Sequence, residues 1–431
     1  MPTTPSQHLD GLYLTSTTGA HVLLVGADEI LDRCGVAAHT AGLAEHLAET
    51  AASVSVLAAS PRPPLPCRGP APVSPPAGLR LDLTGEKGGA AVVRVRRRPT
   101  EGDGIRRRTG DELGFLTGAL TATLPHVPDV VLGVTPGLGC AVAAARIARR
   151  HRSPLVLIVH DLLSARPGGT GGRALTVADA AERRVLRAAA EVAVTSPELA
   201  DRVYRLGVGP EHVHLLPHWA PDGAPPIDRT VARRALGWPI RPFTVVLSAD
   251  GGVRPDLATV CSAAELLHGE ARFVLVGGSS RRAAVPSQIP APGALRRTGP
   301  LDDATHHRTL AAADLLLVAE RPDATGLPLP GTLAHYLAAA RPVLAAVPES
   351  GSVAGDLARG AGAGLVVPPG EPHLLAAAVR ALILDETARR EMARAAGRYA
   401  LDRMGRAAVM GQLDTMLRAA LGDAVIDLTT A

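Results

Sequence analysis

The chain has 431 residues, of which 46% are hydrophobic and 20% charged, so length and composition predict two or three globular domains and exclude a disordered protein. The formal net charge is only +4, and Lys87 is the only lysine, which nearly excludes chemistry that depends on a lysine amine. The four cysteines are far apart, as in proteins of reducing compartments, and the first residues hold no apolar signal region. We therefore expect a cytoplasmic, water-soluble protein.

Short apolar runs typical of buried parallel strands alternate with helical patterns through the first half of the chain. The expected strands are 21–27, 53–59, 129–134, 154–161, 191–196 and 212–218, and the expected helices are 37–49, 138–150, 176–190 and 197–206. The Pro-rich segment 60–78 predicts a loop. The runs "RVRRRP" and "GIRRRTG", near Arg94 and Arg106, carry no aromatic residue and so favour a solvated face or contact with an anionic membrane or substrate over nucleic-acid binding.

The same alternation restarts after "WAPDGAPP" (219–226), which reads as a linker. The expected strands are 243–249, 272–278, 314–320, 342–348 and 364–369, with helices at 257–268, 302–313, 332–340, 352–359 and 371–384. The pattern predicts two doubly wound Rossmann-like domains. We place their boundaries as a flexible N-terminus 1–19, a first domain 20–218, a linker 219–227, a second domain 228–395, and closing helices with a frayed tail 396–431.

Glycines follow several of the expected strands, where doubly wound sheets bind ligands. A single glycine at such a place is explained by a tight turn. Three such segments in the second half, 249–254, 277–280 and 325–327, together favour a phosphate and nucleoside cleft there. No dinucleotide-binding G-x-G-x-x-G, Walker A or G-x-S-x-G motif is present.

Histidines are the other candidate site residues. His212, His214 and His218, and the pair His306 and His307, lack cysteine or carboxylate partners at ligand spacing, so we expect ordinary histidines and no metal. His160 ends the strand "PLVLIVHD", beside Asp161, which could simply start a helix. Its position at the carboxyl edge of the first sheet favours a functional role.

Several segments, in this order, resemble a known family: "VAAHTAGLAEHLAETAASVSVLA", "DVVLGVTPGLGCAVAAARIARRHRSPLVLIVHDL", "RRALGWPIRPFTVVLSADGGVRPDLATVCSAAELL" and "LAHYLAAARPVLAAVPESGSVAGDLARGAGAGLVVPPGEPHLLAAAV". The chain looks like a GT-B fold retaining glycosyltransferase of family four, closest to the colanic-acid-type branch. The resemblance covers most of residues 20–405. It implies a nucleotide sugar in the C-terminal domain, an acceptor (a glycan, a lipid-linked molecule or a small molecule) on the N-terminal domain, and neither metal nor cofactor.

The resemblance also carries over individual residues. It implies that His160 contacts the donor sugar as the catalytic histidine. It implies that Arg254 holds the diphosphate, and that Asp323 and His335 stand where the family has two glutamates, the second of which binds the ribose. The remaining donor-binding residues it implies are Gly35, Gly251, Gly252, Gly277, Gly278, Thr325, Gly326 and Leu327.

These departures from the family's basic and acidic pairs leave two functions open. One is an active glycosyltransferase that moves a sugar from a nucleoside diphosphate to a hydroxyl, with retention. The other is a degenerate GT-B protein that acts as a non-catalytic partner or nucleotide-binding subunit. A sugar-nucleotide epimerase of the same fold would need a pair of catalytic carboxylates, which the sequence does not offer convincingly.

Overall fold

The structure, a computed structural model, describes residues 19–26, 36–51, 53–59, 90–95, 105–135, 137–162, 173–219, 227–248, 256–277, 295–299, 301–322, 331–349, 357 and 362–422. The expected flexible N-terminus up to residue 18, the Pro-rich loop 60–78 and the tail beyond 422 lie outside these residues. So does the expected helix at 352–359, apart from Leu357.

The first unit is a parallel sheet of seven strands, in the order β3-β2-β1-β4-β5-β6-β7. The strands are β1 (His21–Gly26), β2 (Ser53–Ala59), β3 (Ala90–Val95), β4 (Val130–Val134), β5 (Leu155–Val159), β6 (Glu191–Val194) and β7 (Val213–Leu215). The helices are α1 (Val36–Thr50), α2 (Ile105–Thr121), α3 (Leu138–His151), α4 (Arg173–Ala188) and α5 (Pro197–Arg205). The strand order reverses between β1 and β4, which is where such sheets open a crevice for ligands.

The second unit repeats this plan with six parallel strands, in the order β10-β9-β8-β11-β12-β13. The strands are β8 (Phe243–Ser248), β9 (Ala271–Val276), β10 (Leu295–Arg297), β11 (Leu315–Ala319), β12 (Val343–Ala346) and β13 (Gly364–Val367). The helices are α6 (Arg229–Ala235), α7 (Leu257–Leu266), α8 (Asp303–Ala311), α9 (Gly331–Ala338), α10 (Pro372–Leu384), α11 (Glu386–Met404) and α12 (Arg406–Leu421). Here the order reverses between β8 and β11.

Each sheet is buried on both faces, because its central strands are continuous apolar runs with no polar side to turn toward water. In the first sheet, alternate residues of β1 contact different helix layers: Leu23 packs with α2 to α5, and Leu24 with α1 and α12. In the second sheet, α8, α9 and α11 cover one face, and α7 and α10 cover the other. The structure therefore confirms the expected pair of doubly wound domains.

The last helix returns to the first unit. Five apolar residues of α12 are at most 3% exposed and pack with the first sheet: Val409, Met410, Leu413, Met416 and Leu417. Helix α11, directly before it, packs on α9 of the second unit. Helix α11 thus packs on the second unit and helix α12 on the first.

The structure adds four elements that the sequence pattern did not predict: β3, α2, α6 and β10. Part of the basic stretch near Arg94 belongs to β3, an edge strand whose Arg94 side chain is exposed. The stretch near Arg106 is the start of α2, which packs against α3. Among the described helices, none combines the length and the apolar run needed to cross a bilayer.

Candidate functional site

Polar side chains gather at the carboxyl edge of the first sheet. Thr135, His160 and Thr195 follow three neighbouring strands, β4, β5 and β6, and all three are buried. The Thr135 hydroxyl accepts a hydrogen bond of 3.1 Å from the backbone N–H of His160. Because the carboxyl ends of parallel strands meet at one edge, these residues form a polar row where doubly wound sheets bind ligands.

Two more histidines surround His160. His39, from the first turn of α1, meets the His160 ring edge to face, with centroids 4.7 Å apart and planes at 85°. His218, just after β7, lies 5.0 Å from His160 and 4.9 Å from His39. We call these three residues the histidine trio. Trp219 stacks on His39 at 4.2 Å with an interplanar angle of 29°.

The trio leaves ring nitrogens without partners. Among the described residues, neither ring nitrogen of His160 has a hydrogen-bond partner, and the same holds for His39 Nε2 and for the Thr195 hydroxyl. Buried polar atoms are nearly always paired in native proteins, because an unpaired one costs free energy. Unpaired atoms at this sheet edge are therefore what a site for a polar ligand requires.

Burial keeps the trio neutral at pH 7. Desolvation lowers the pKa of His39 and His160 well below the usual 6.5, and repulsion from neighbouring imidazoles lowers it further. Desolvation also lowers the pKa of His218 to about 4. The neutral His160 ring offers one N–H donor and one acceptor nitrogen, which suits sugar hydroxyls.

The second sheet carries its own polar edge at the reversal between β8 and β11. The fully buried Tyr336 of α9 accepts a 2.7 Å hydrogen bond from the Ser248 N–H, at the end of β8, and donates to the Leu317 carbonyl at 3.3 Å. At the start of α7, the Asp256 N–H donates to the Ala319 carbonyl at 3.2 Å. Ser248 and Asp256 flank the segment 249–254, which we expect to bind phosphate. Both flanking residues are thus hydrogen-bonded at this edge.

Glu320 lies directly after β11 at the same edge. It is 6% exposed, and desolvation raises its pKa to about 7. A carboxyl group with such a pKa can bind a hydroxyl as an acceptor or, when protonated, as a donor. Sequence reasoning missed Glu320 because its burial depends on neighbouring strands that are remote in the chain.

His335 lies in the second turn of α9, and its ring approaches the pair on α8, with centroids 5.9 Å from His306 and 5.7 Å from His307. Desolvation lowers the pKa of His335 to about 3. Repulsion from His306, His307 and His218 contributes smaller decreases. The Nδ1 atom of His335 is buried and has no hydrogen-bond partner among the described residues.

The two units approach each other at the start of α9. A Cβ built on Gly331 would lie 3.7 Å from His218 Nδ1, so the first residue of α9 meets the histidine trio. The electrostatic effect of His218 on His335 is the second link between the two units. Here α9 brings its N-terminal end, where helices carry partial positive charge, toward the polar edge of the first sheet.

Of the predicted site residues, the structure describes His160, His335 and Gly277. Gly277 has φ +82°, a conformation that favours glycine, and its N–H donates to the Gly299 carbonyl at 3.0 Å. That N–H is therefore already used within the protein. The other predicted residues lie outside the described part of the chain: Gly35, Gly251, Gly252, Arg254, Gly278, Asp323, Thr325, Gly326 and Leu327.

The remaining histidines group differently from their order in the sequence. His214 Nε2 lies 2.6 Å from a Glu191 carboxylate oxygen, and His212 Nδ1 lies 3.6 Å from the other oxygen, so these two pair with a carboxylate that the sequence did not reveal. His218 instead joins the trio. Within the described ranges, no three His, Cys, Asp or Glu side chains are arranged to hold a metal ion.

A small cavity of about 20 Å³ lies beside the polar row, lined by Thr135, Asp161 and Glu182 together with apolar residues of β5, α3 and α4. Its size suits a single water molecule and not a sugar.

Two family models match the chain. Residues 34–219 match the Glycosyl transferase 4-like domain, and residues 254–385 match Glycosyl transferases group 1. The two matches fall on the two units described above. Each half of the chain is thus similar to a glycosyltransferase domain, the first around the first sheet and the second around the second sheet.

Solved structures of glycosyltransferases share the fold over nearly the whole chain. Sucrose-phosphate synthase from Thermosynechococcus elongatus matches with a TM-score of 0.70 and 17% identity, over 93% of this chain and 100% of that one. Anabaena HepE in complex with UDP-glucose gives 0.64 and 16%, over 92% and 99%. A glycosyltransferase from Rickettsia africae gives 0.64 and 11%, over 94% and 100%. No curated protein sequence matches the chain at a significant level. At these identities the likeness shows the GT-B fold.

Proposed function

We propose that this GT-B protein, with a glycosyltransferase domain in each half, transfers a sugar from a nucleoside diphosphate to an acceptor hydroxyl with retention of anomeric configuration. The observation that carries the proposal is the buried His160, whose ring nitrogens are both unpaired at the edge of the first sheet, where α9 of the second unit approaches. A protein that had kept only the fold would gain nothing from such unpaired atoms, which cost stability.

In this proposal the second unit binds the nucleotide. Arg254, Gly251 and Gly252 hold the diphosphate, and Asp323, Thr325, Gly326 and Leu327 line the nucleoside, with Glu320 and His335 nearby. As the glycosidic bond breaks, negative charge grows on the leaving diphosphate, and Arg254, backbone N–H groups and the N-terminal end of α9 stabilise that charge. His160 orients the sugar by hydrogen bonds, and Gly35 leaves room at the start of the first unit's site.

A panel of nucleoside diphosphate sugars tests the nucleotide part of the proposal. Ligand at a hundred times its dissociation constant should raise the unfolding free energy by about 2.7 kcal/mol, which appears as a rise in melting temperature. UDP-glucose and UDP belong in the panel because HepE was solved with both. The nucleoside monophosphates are the controls, since they lack the diphosphate. A chain that binds no member of the panel would be a non-catalytic partner protein instead.

His160→Ala separates sugar binding from nucleotide binding. Hydrolysis or transfer of the bound donor should slow at least about tenfold, because a small misplacement of the sugar is costly in rate. Affinity for the sugar-free nucleoside diphosphate should not change, since His160 lies on the first unit. Calorimetry with UDP and UDP-glucose, together with the rate of donor hydrolysis, measures both effects. Equal rates in variant and wild type would remove His160 from the site.

Retention is tested on the product itself. Proton NMR of a transfer reaction, read before the anomers equilibrate, gives the configuration of the new glycosidic bond, and an inverted product would contradict this part of the proposal.

A further inference from the structure

We propose that Trp219 and His39 form a stacked support that holds the His160 ring in the orientation needed by the donor sugar, so that both residues act as positioning residues. The inference rests on the proposed role of His160 in sugar transfer. It concerns residues outside the site predicted from the sequence.

A functional imidazole is commonly oriented by a hydrogen bond to one of its ring nitrogens, which also fixes its tautomer. His160 has no such bond within the described part of the chain, since both ring nitrogens are buried and unpaired. The His160 backbone N–H donates to the Thr135 hydroxyl, but this bond does not fix the ring. The orientation of the ring must therefore come from the side chains packed against it.

His39 supplies the best-defined of these contacts. Its ring stands nearly perpendicular to the His160 ring, at 85° and 4.7 Å, which is a favoured geometry for aromatic pairs. His218 meets the same ring at 5.0 Å and 49°, and so closes a second side. Both neighbours are neutral imidazoles, and they leave the nitrogens of His160 available for a ligand.

Trp219 in turn holds His39. The two rings stack at 4.2 Å, and Trp219 also lies close against α1 at Gly42, where an added Cβ would come within 2.4 Å of Trp219 Cζ2. Residues three apart on a helix share a face, so His39 and Gly42 together form the surface on which Trp219 rests. The absence of a side chain at residue 42 is what allows the indole to reach His39.

The unpaired nitrogens of His160 explain why ring packing, and not a side-chain hydrogen bond, should orient this ring. A hydrogen bond from another side chain would hold His160 as well, but it would occupy a nitrogen that the substrate needs. Packing of rings fixes the orientation and leaves both nitrogens free. Side chains from α1 and from the segment after β7 thus hold the imidazole that follows β5.

The first test compares variants that keep or remove ring packing, with UDP-glucose as the donor probe and hydrolysis as the reaction. His39→Ala and Trp219→Ala should lower kcat about tenfold or more while KM stays within about threefold, because orientation acts on the bound complex. His39→Phe and Trp219→Phe keep a ring in place and should stay within about threefold of wild type. If His39→Phe is as slow as His39→Ala, the His39 nitrogen acts directly on the substrate and the inference is wrong.

Gly42→Ala tests the support without removing any ring. The new methyl group collides with Trp219, and alanine favours the helix more than glycine does, so a loss of kcat would not come from a weakened α1. Gly114→Ala is the matched control, because this glycine also lies inside a helix and a Cβ there meets nothing within 4 Å. Wild-type kcat in Gly42→Ala would overturn the inference.

A third measurement does not depend on activity. NMR of the imidazole signals in the free protein should show the His160 ring signals moved in Gly42→Ala and unmoved in Gly114→Ala. If the wild type hydrolyses no nucleotide sugar, the proposed function fails, yet this measurement still decides on the support. His160 signals that stay in place in Gly42→Ala would contradict it.

Discussion

The neutral histidines of the trio make the folded chain sensitive to acid. Their folded pKa values lie below the unfolded value of 6.5, so the unfolded chain takes up protons before the folded chain does. Their contribution to stability is complete above about pH 6.5 and is lost as the pH falls from there toward the folded pKa values. Acid therefore lowers the unfolding free energy, as expected for buried bases that are uncharged in the folded state.

We predict that His39→Phe reduces this acid sensitivity. A histidine that stays neutral in the fold while the unfolded chain takes up a proton lowers the unfolding free energy between pH 7 and pH 5. Phenylalanine cannot take up a proton, so the variant should lose less unfolding free energy than the wild type over this range. Urea unfolding at both pH values measures the difference. His268→Phe, at an exposed residue after α7, is the control and should follow the wild type. Parallel behaviour of His39→Phe and wild type would mean that His39 is not a buried neutral base.

The sequence predicted His160 but not the side chains that pack around it. His160 was predictable because it ends a continuous apolar strand, and strand ends form the ligand-binding edge of a doubly wound sheet. His39 lies inside a helix, and Trp219 lies at the start of an expected linker. Nothing local in the chain indicates that these two side chains stack, because their contact depends on how α1 and β7 pack.

At the scale of elements, a buried ion pair ties α6 to the second sheet. Asp314, directly before β11, pairs with Arg233 at 2.5 Å and also with Arg229, and its Oδ2 accepts the Thr244 N–H at 2.7 Å. Arg233 is 2% exposed and donates further hydrogen bonds to the Ala312 and Ile240 carbonyls. The pair thus holds a helix, a strand and the loop before β8.

We predict that Asp314→Ala costs about 3–5 kcal/mol of unfolding free energy, because it leaves the Arg233 charge buried without its carboxylate. The control is Glu270→Ala, which breaks the exposed pair of Glu270 with Arg380 in the same unit and should cost far less, because water screens that pair. Urea unfolding of both variants makes the comparison. Similar costs would show that burial does not strengthen the Asp314 pair.

Most elements were predictable from periodicity, and the exceptions have physical reasons. Strand β3 carries an exposed arginine at an edge, so its pattern resembles a basic loop. Helix α2 opens with three arginines and contains three glycines within "GDELGFLTG", which lowers its helix propensity. It forms because Phe115 is fully buried in the core shared with α3. Strand β10 has three residues and helix α6 has seven, too few to give a clear period.

At the scale of the whole molecule, α12 covers part of the first sheet although it follows the second unit in the chain. The spacing of Val409, Leu413 and Met416 indicates one apolar helix face. The sequence cannot say which sheet that face covers, because either unit could accept an apolar helix. The structure places it with α1 on the first sheet, so the stability of the first unit depends on residues at the far end of the chain.

We predict that Leu413→Ala destabilises the first unit by about 2–5 kcal/mol, since Leu413 is 0% exposed and the change leaves a cavity among first-sheet residues. The matched control is Leu401→Ala, which makes the same chemical change on α11 at a side chain that is 77% exposed, and should alter stability by less than about 0.5 kcal/mol.

Hydrogen exchange shows where the loss falls. In Leu413→Ala, backbone amides of β1 and β4 should exchange faster than in wild type, because α12 packs on the face that these strands present. Amides of β9, in the second sheet, should change less, since the core around this strand contains no residue of α12. Faster exchange confined to the second unit would contradict the placement of the last helix. Equal acceleration in both units would instead show that the two halves unfold as one, with α12 as the helix that couples them.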